Sequence, residues 1–328
     1  MPSSMTHTYF GLDVYESLSK RCSKVIDSKL EHFKLFCQGP DPFMFYHFFI
    51  GKRAKEMKDI QKMMHCEKTQ QFFLNTIRYI HEHKLQGNQE AMAYLYGDIC
   101  HYYLDLYTHP FIYYKSGVFE PKDKDTYKYN GFHQQIEYAI DLYFISKNEI
   151  GTPAKIKVHK KIFGTTPFSS ELEDLISWVV DKTYSIKNSV SKYQKSIKYM
   201  KRFFYLANYD PYGIKLKAYH LIDKITPEKS IKLKELSYYN NYIDISNYLN
   251  LSHKKWAYPW DDKQLFTDSF LDLYKKAKIE TISTIQEITK LLENDILDIK
   301  KVKQIFPNLS YVTGKPCHLK LEMKYFEF

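Results

Sequence analysis

Glycine and proline are scarce in this 328-residue chain, at 11 and 12, too few for the tight turns of a sandwich or barrel. Five cysteines, Cys22, Cys37, Cys66, Cys100 and Cys317, include no CxxC pair and are odd in number. That excludes a disulfide framework and a cysteine zinc knuckle, and it suits a reducing compartment. The longest apolar run, Phe43 to Ile50, is interrupted by His47 and is far too short to span a bilayer. The start, Met-Pro-Ser-Ser-Met-Thr-His, has no basic region followed by an apolar stretch, so a cytoplasmic protein without a signal peptide is expected. A Gly-rich phosphate loop and a GxSxG nucleophile motif are both missing, as are fixed-period repeats and low-complexity linkers.

Aromatic residues are abundant, with 30 Tyr and 22 Phe, and the formal charge is +10. A polyanion, an anionic membrane surface or a phosphorylated small substrate all suit that charge. Its densest group, Lys192, Lys195, Lys198, Lys201 and Arg202, reads first as the solvated face of a helix. Helical spacing of apolar residues recurs from Thr6 to Phe36, with a break near Arg21, and again over 55–84, 132–146, 170–188, 191–207 and 265–293. Asn88 can cap a helix that runs through Leu95 and Ile99 and should stop near Pro110. In the tail, Leu319, Leu321, Met323 and Tyr325 alternate with polar residues, so this stretch can form a short C-terminal β-hairpin with Tyr311 and Val312. The expected organisation is one mostly helical domain over 1–307 and a strand-like tail over 308–328.

Chemistry concentrates in His101-Tyr-Tyr-Leu-Asp105-Leu-Tyr-Thr-His109-Pro110 and His133-Gln-Gln-Ile-Glu137. A step of four residues keeps side chains near one helix face. His101 and Asp105 can therefore reach one ion, His109 its neighbour, and Asp105 can bridge. His133 and Glu137 form a second helical chelate able to complete the ion that His109 begins. An isolated HxxxD pair is more often a surface interaction. Here the flanking residues Tyr102, Tyr103, Leu104, Leu106 and Phe111 turn the polar groups inward, where coordination removes the cost of burying them. His7, Asp41 in Gly39-Pro40-Asp41-Pro42, and His65 after Met64 are further candidates. Spacing alone leaves them open as a cap, a turn aspartate or core histidines.

The ordered set His7, Gly39-Pro40-Asp41, Met64-His65, His101-xxx-Asp105-xxx-His109 and His133-xxx-Glu137 resembles the zinc-dependent phospholipase C family, related in fold to the S1/P1 nucleases. The resemblance covers about residues 1 to 140 and, more loosely, Leu249 to Trp256 with Pro259-Trp260. It implies an all-α multi-helix bundle with a trinuclear metal cleft holding two to three Zn2+ ions. One zinc would take Asp41, His65, His101 and Asp105; a second His109, His133 and Glu137; a third His7 and Asp105. Family members complete the third ion with an amino-terminal tryptophan, which this chain lacks, so the amine of Pro2 is the expected substitute. Asp41 is the expected water-orienting or general-base residue.

The implied activity is zinc-dependent hydrolysis of a phospholipid or other small phosphodiester, with transient contact to a membrane surface. Ser3, Ser4 and Pro42 stand where phospholipid-cleaving relatives place choline-binding residues, so the resemblance does not extend to choline selectivity. Two alternatives remain: a single-strand nuclease acting on nucleic acid, and a non-catalytic, metal-stabilised helical protein.

Overall fold

Helical periodicity is realised along most of the chain in the computed structural model, which describes residues 4–120, 122–164, 166–228, 230, 232–236, 238 and 245–327. The first third carries α1 (Ser4–Ser17), α2 (Lys20–Ser23), α3 (Leu30–Phe36), α4 (Lys52–Cys66), α5 (Thr69–Glu82) and α6 (Gln89–Ser116). Then come α7 (Phe132–Asn148), α8 (Val158–Lys161), α9 (Ser170–Tyr184), α10 (Ser189–Phe203), α11 (Ile214–Ile225), α12 (Phe270–Leu292) and α13 (Ile299–Ile305). The fold is all-α, and the one small sheet among the described residues pairs β1 (Trp256–Tyr258) with β2 (Asp261–Phe266), antiparallel.

The bundle is organised around α6. This helix is apolar on nearly every face, from Ala91 and Leu95 to Phe111 and Ile112, as expected of a helix surrounded by others. It packs against α12, α3, α1, α7 and β1. The contact with α3 is unusually close: a Cβ at Gly97 would lie 2.5 Å from Cβ of Phe36, so only glycine admits that approach. Asn88 caps the helix as its sequence suggests, its side chain accepting from the N–H groups of Glu90 and Ala91.

Pro110 does not end α6, which continues to Ser116. A proline inside a helix removes one hydrogen bond and costs about 3 kcal/mol. Burial of Phe111 and Ile112 beyond it is of the size that offsets this, at roughly 1.5–3 kcal/mol per large apolar side chain.

The tail also departs from expectation. Residues 319–327 form no strand, and the hairpin of this chain is β1–β2. The backbone donors of Lys324 and Tyr325 bond the carbonyl of Pro259, and that of Glu327 bonds the carbonyl of Tyr114. Alternation of side chains does not produce a ladder when the available acceptors belong to separate elements. Between α6 and α7 lies a short 3-10 segment, Lys124–Tyr129. None of the helices, among the described residues, is long and apolar enough to cross a membrane.

Candidate metal centre

Four elements deliver side chains to one buried point beside α6. His7 comes from α1, Asp41 opens the 3-10 segment Asp41–Phe49, His65 sits in the last turn of α4, and His101, Asp105 and His109 follow one another along α6. His7, His101 and Asp105 have no exposure at all, and Asp41, His65 and His109 are nearly as buried.

The approach of each element has a local cause. Asp141 of α7 accepts from the backbone N–H groups of Met5 and Thr6 and from the Thr6 hydroxyl. It thus satisfies early donors of α1 and favours its positive end, fixing His7, the next residue in the helix. Before Asp41, the chain turns at Gly39 with φ +49, and a Cβ there would meet the His101 ring at 2.4 Å. Glycine is required at this position twice over, by the backbone and by the imidazole.

The centre is a set of acceptors turned toward acceptors. Nδ1 of His65 lies 2.8 Å from the carbonyl of Gln61, Nδ1 of His101 3.2 Å from that of Cys37, and Nδ1 of His109 2.9 Å from that of Tyr311. A carbonyl only accepts, so each Nδ1 carries a proton, which leaves the Nε2 atoms, turned elsewhere, as the ones able to offer a lone pair to a cation. Those of His65 and His101 face one another at 3.4 Å. Both also face the Asp105 carboxylate, at 3.4 and 3.2 Å. His65 stands a further 3.3 Å from Asp41, which is oriented by an N–H of Gln61 at 3.1 Å.

His7 closes the group from the other side. Its ring stacks on that of His101, with centroids 4.5 Å apart, and Nε2 lies 3.2 Å from Asp105. Neither nitrogen of His7 and neither oxygen of Asp105 finds an aligned hydrogen bond. Burying polar atoms this way is costly, and a cation among the donors removes the cost. Two triads have the compactness to hold an ion, His7–His101–Asp105 and Asp41–His65–His101. The residues therefore fit a metal.

The remaining expected ligands form a looser second group. His133 and Glu137 of α7 approach to 2.7 Å, and Nδ1 of His133 lies 3.3 Å from the hydroxyl of Ser116. Tyr113 of α6 stands between His109 and His133, its ring 5.8 Å from that of His109 and 5.0 Å from that of His133. Among the described residues, His109, His133 and Glu137 do not close into a triad as tight as the other two. His133 is also the most open of the eight side chains, at 17% exposure, and Trp260 stands beside Tyr113 at 6.1 Å. The cluster is thus reached from the side of His133. Pro2, expected to supply an amine, lies outside the described residues.

Protons act as the cations of the metal-free cluster. Burial works against a charged His65, but the carboxylates of Asp105 and Asp41 outweigh it and push its pKa up to about 10. Burial also opposes charge on Asp105, yet His101 and His109 hold its carboxyl well below the ordinary range. Desolvation alone dominates at the second group: it lowers His109 to about 3 and His133 well below its ordinary value, and raises Glu137.

Sequence reasoning missed four contributors: Asp141, Gln61 and the carbonyls of Cys37 and Tyr311. Tyr311 also donates its N–H to the carbonyl of His65, so one residue near the C-terminus steadies two imidazoles. A backbone carbonyl has no signature in residue type. Asp141 carried one faint sign, standing one helical turn beyond Glu137.

A family profile described as zinc dependent phospholipase C matches residues 6–190, a span that contains all eight candidate ligands. The chain belongs to the zinc-dependent phospholipase C family, which makes it a zinc-dependent, phospholipase C-type hydrolase by class. Searches of curated proteins and of solved structures find no match.

Two outcomes follow. Gly39→Ala should lose more than about 2 kcal/mol of stability, from positive φ and the clash with His101, with lower zinc content; unchanged urea denaturation and metal content would contradict it. Zinc binding near pH 7 should release at least one proton, because the raised His65 is protonated until the metal arrives. The release should fall away above about pH 10, and calorimetry in buffers of different ionisation enthalpy measures it.

Proposed function

We propose that this chain hydrolyses a phospholipid, or another small phosphodiester, at a cluster of two to three zinc ions. The observation that supports it best is the facing of His65 Nε2 and His101 Nε2 against each other and against Asp105. Lone pairs so opposed need positive charge between them, and the family's metal is zinc. In this reading Asp41, His65, His101 and Asp105 hold one ion, and His7 and Asp105 another. His109, His133 and Glu137 hold the ion nearest the open side.

When bound, zinc supplies Lewis acidity toward phosphate oxygens and activation of water. The chain's own residues do the rest. Gln61 fixes the Asp41 carboxylate, which orients the attacking water and can accept its proton. The carbonyls of Gln61, Cys37 and Tyr311 lock the imidazoles before substrate arrives, so little reorganisation remains for the reaction. Tyr113 and Trp260 offer aromatic walls beside His133 for the apolar portion of the substrate. Water adds to phosphorus and the P–O bond to the alcohol breaks, so a phospholipid yields diacylglycerol and a phosphorylated head group.

A panel of phosphodiesters with parallel zinc quantification tests this reading. The native chain should release diacylglycerol from lipid vesicles and leave single-stranded DNA intact. Asp41→Asn should lower kcat by roughly 100-fold or more, and His101→Ala should lose both zinc and turnover. Cleavage of single-stranded DNA alone would replace the lipid reading with the nuclease one. Bound zinc with no turnover on any ester would leave a metal-stabilised, non-catalytic protein. Absence of tightly bound zinc, with stability unmoved by chelation, would remove every metal-based reading.

A further inference from the structure

α11 turns an apolar stripe to solvent. Its residues Ile214, Leu221 and Ile225 recur at helical spacing and are 68%, 66% and 84% exposed. Leu216, Tyr219 and Asp223 are the half-buried side, where Asp223 accepts from the backbone N–H groups of Leu233 and Lys234. A helix of a soluble protein ordinarily turns such a stripe to the core. Lys217 and Lys224 border the stripe, both exposed.

Exposed apolar residues lead back along the chain from α11 to a cationic groove. Tyr212, Leu206 and Tyr205 are all exposed, and they follow Arg202 at the end of α10. There Lys195, Lys198 and Arg202, spaced on one face of α10, meet Arg53 of α4 across a groove walled by Tyr46 and Tyr199. The four cations have no carboxylate partner among the described residues, whereas neighbouring Lys192 pairs with Glu56 at 3.0 Å. Ile50, on the segment between Tyr46 and Arg53, is likewise exposed. A mere solvated face, as the lysine spacing alone suggests, does not explain cations gathered from two elements beside exposed apolar residues.

We propose that the α10 groove and the outward face of α11 form a docking surface for a membrane carrying anionic lipids. Phosphate-bearing head groups match the four unpaired cations, and the apolar stripe with its bordering lysines matches the boundary between head groups and acyl chains. A helical protein partner or a second copy would account for the stripe but not for the concentrated positive charge. The inference extends the phospholipid reading above, and it is tested by binding rather than turnover, so the two fail separately.

Co-sedimentation of the zinc-loaded full chain with vesicles provides the test. One set is phosphatidylcholine alone, and the other contains about a third phosphatidylserine, a proportion that gives the strong surface potential such cations respond to. The chain should sediment with the anionic set, weakly or not at all with the neutral set, and less as salt rises. The double variant Lys198→Glu with Arg202→Glu should bind at least about 20-fold more weakly, from roughly fivefold per basic residue. Leu221→Ser with Ile225→Ser should also weaken binding. All these side chains are exposed, and circular dichroism checks that the variants remain folded. Hydrolysis of a soluble short-chain phosphodiester should be unchanged in both. Equal binding to the two vesicle sets, or variants that bind like the native chain, would overturn the proposal. So would self-association that the α11 variant abolishes while vesicles go unbound.

Discussion

The buried carboxylate of Asp105 is the constraint on which the rest of this structure depends. Four imidazoles surround it, from His7, His65, His101 and His109, at 3.2 to 3.7 Å. Three of those rings donate Nδ1–H to backbone carbonyls, which leaves Nε2 as the atom that can meet a cation. Charge and lone pairs so concentrated away from water are sustained only by cations. Without metal, protons serve; this is why His65 is raised while Asp41 and Asp105 remain ionised. With metal, the same donors become a ligand set whose orientation is already fixed.

Much of the architecture serves that constraint. The long helix α6 is apolar around its circumference so that it can carry His101, Asp105 and His109 through the interior. It continues past Pro110, which keeps Tyr113 and Ser116 in place beside His133. The close packing at Gly97 brings α3 against α6, and the turn at Gly39 then lets Asp41 reach His101 without collision. Asp141 performs a similar service from α7, holding the start of α1 so that His7 stacks on His101. The segment around Tyr311 lies beyond the span matched by the family profile, yet it bonds both His65 and His109. A C-terminal segment outside the matched span thus helps to hold the centre of this chain.

The eight candidate ligands were legible in sequence because helical spacing and an ordered motif both report side chains. His101, Asp105 and His109 share a helix, and their mutual distance follows from its geometry. Relations between elements were less legible. Nothing in residue type announces that a Tyr311 carbonyl meets His109, or that Asp141 reaches the start of α1. The tail misled because its alternation is real while its acceptors, Pro259 and Tyr114, sit on different elements. Pro110 misled because a local rule was outweighed by burial on both sides of it. Spacing places the lysines of α10 on one face but does not show that Arg53, more than a hundred residues earlier, lies across a groove from them. The looseness of His109, His133 and Glu137 relative to the two tight triads was likewise invisible in spacing.

We propose that Asp105 lies between metal ions and is not merely a buried acid shared by histidines. Anomalous scattering at the zinc edge from crystals of the native chain tests it most directly. A peak is expected on each side of the Asp105 carboxylate, at about the 2.0–2.2 Å usual for zinc–oxygen bonds, one also reached by His65 and Asp41 and the other by His7. Crystals of zinc-loaded protein with no anomalous peak within coordination distance of Asp105 would contradict it.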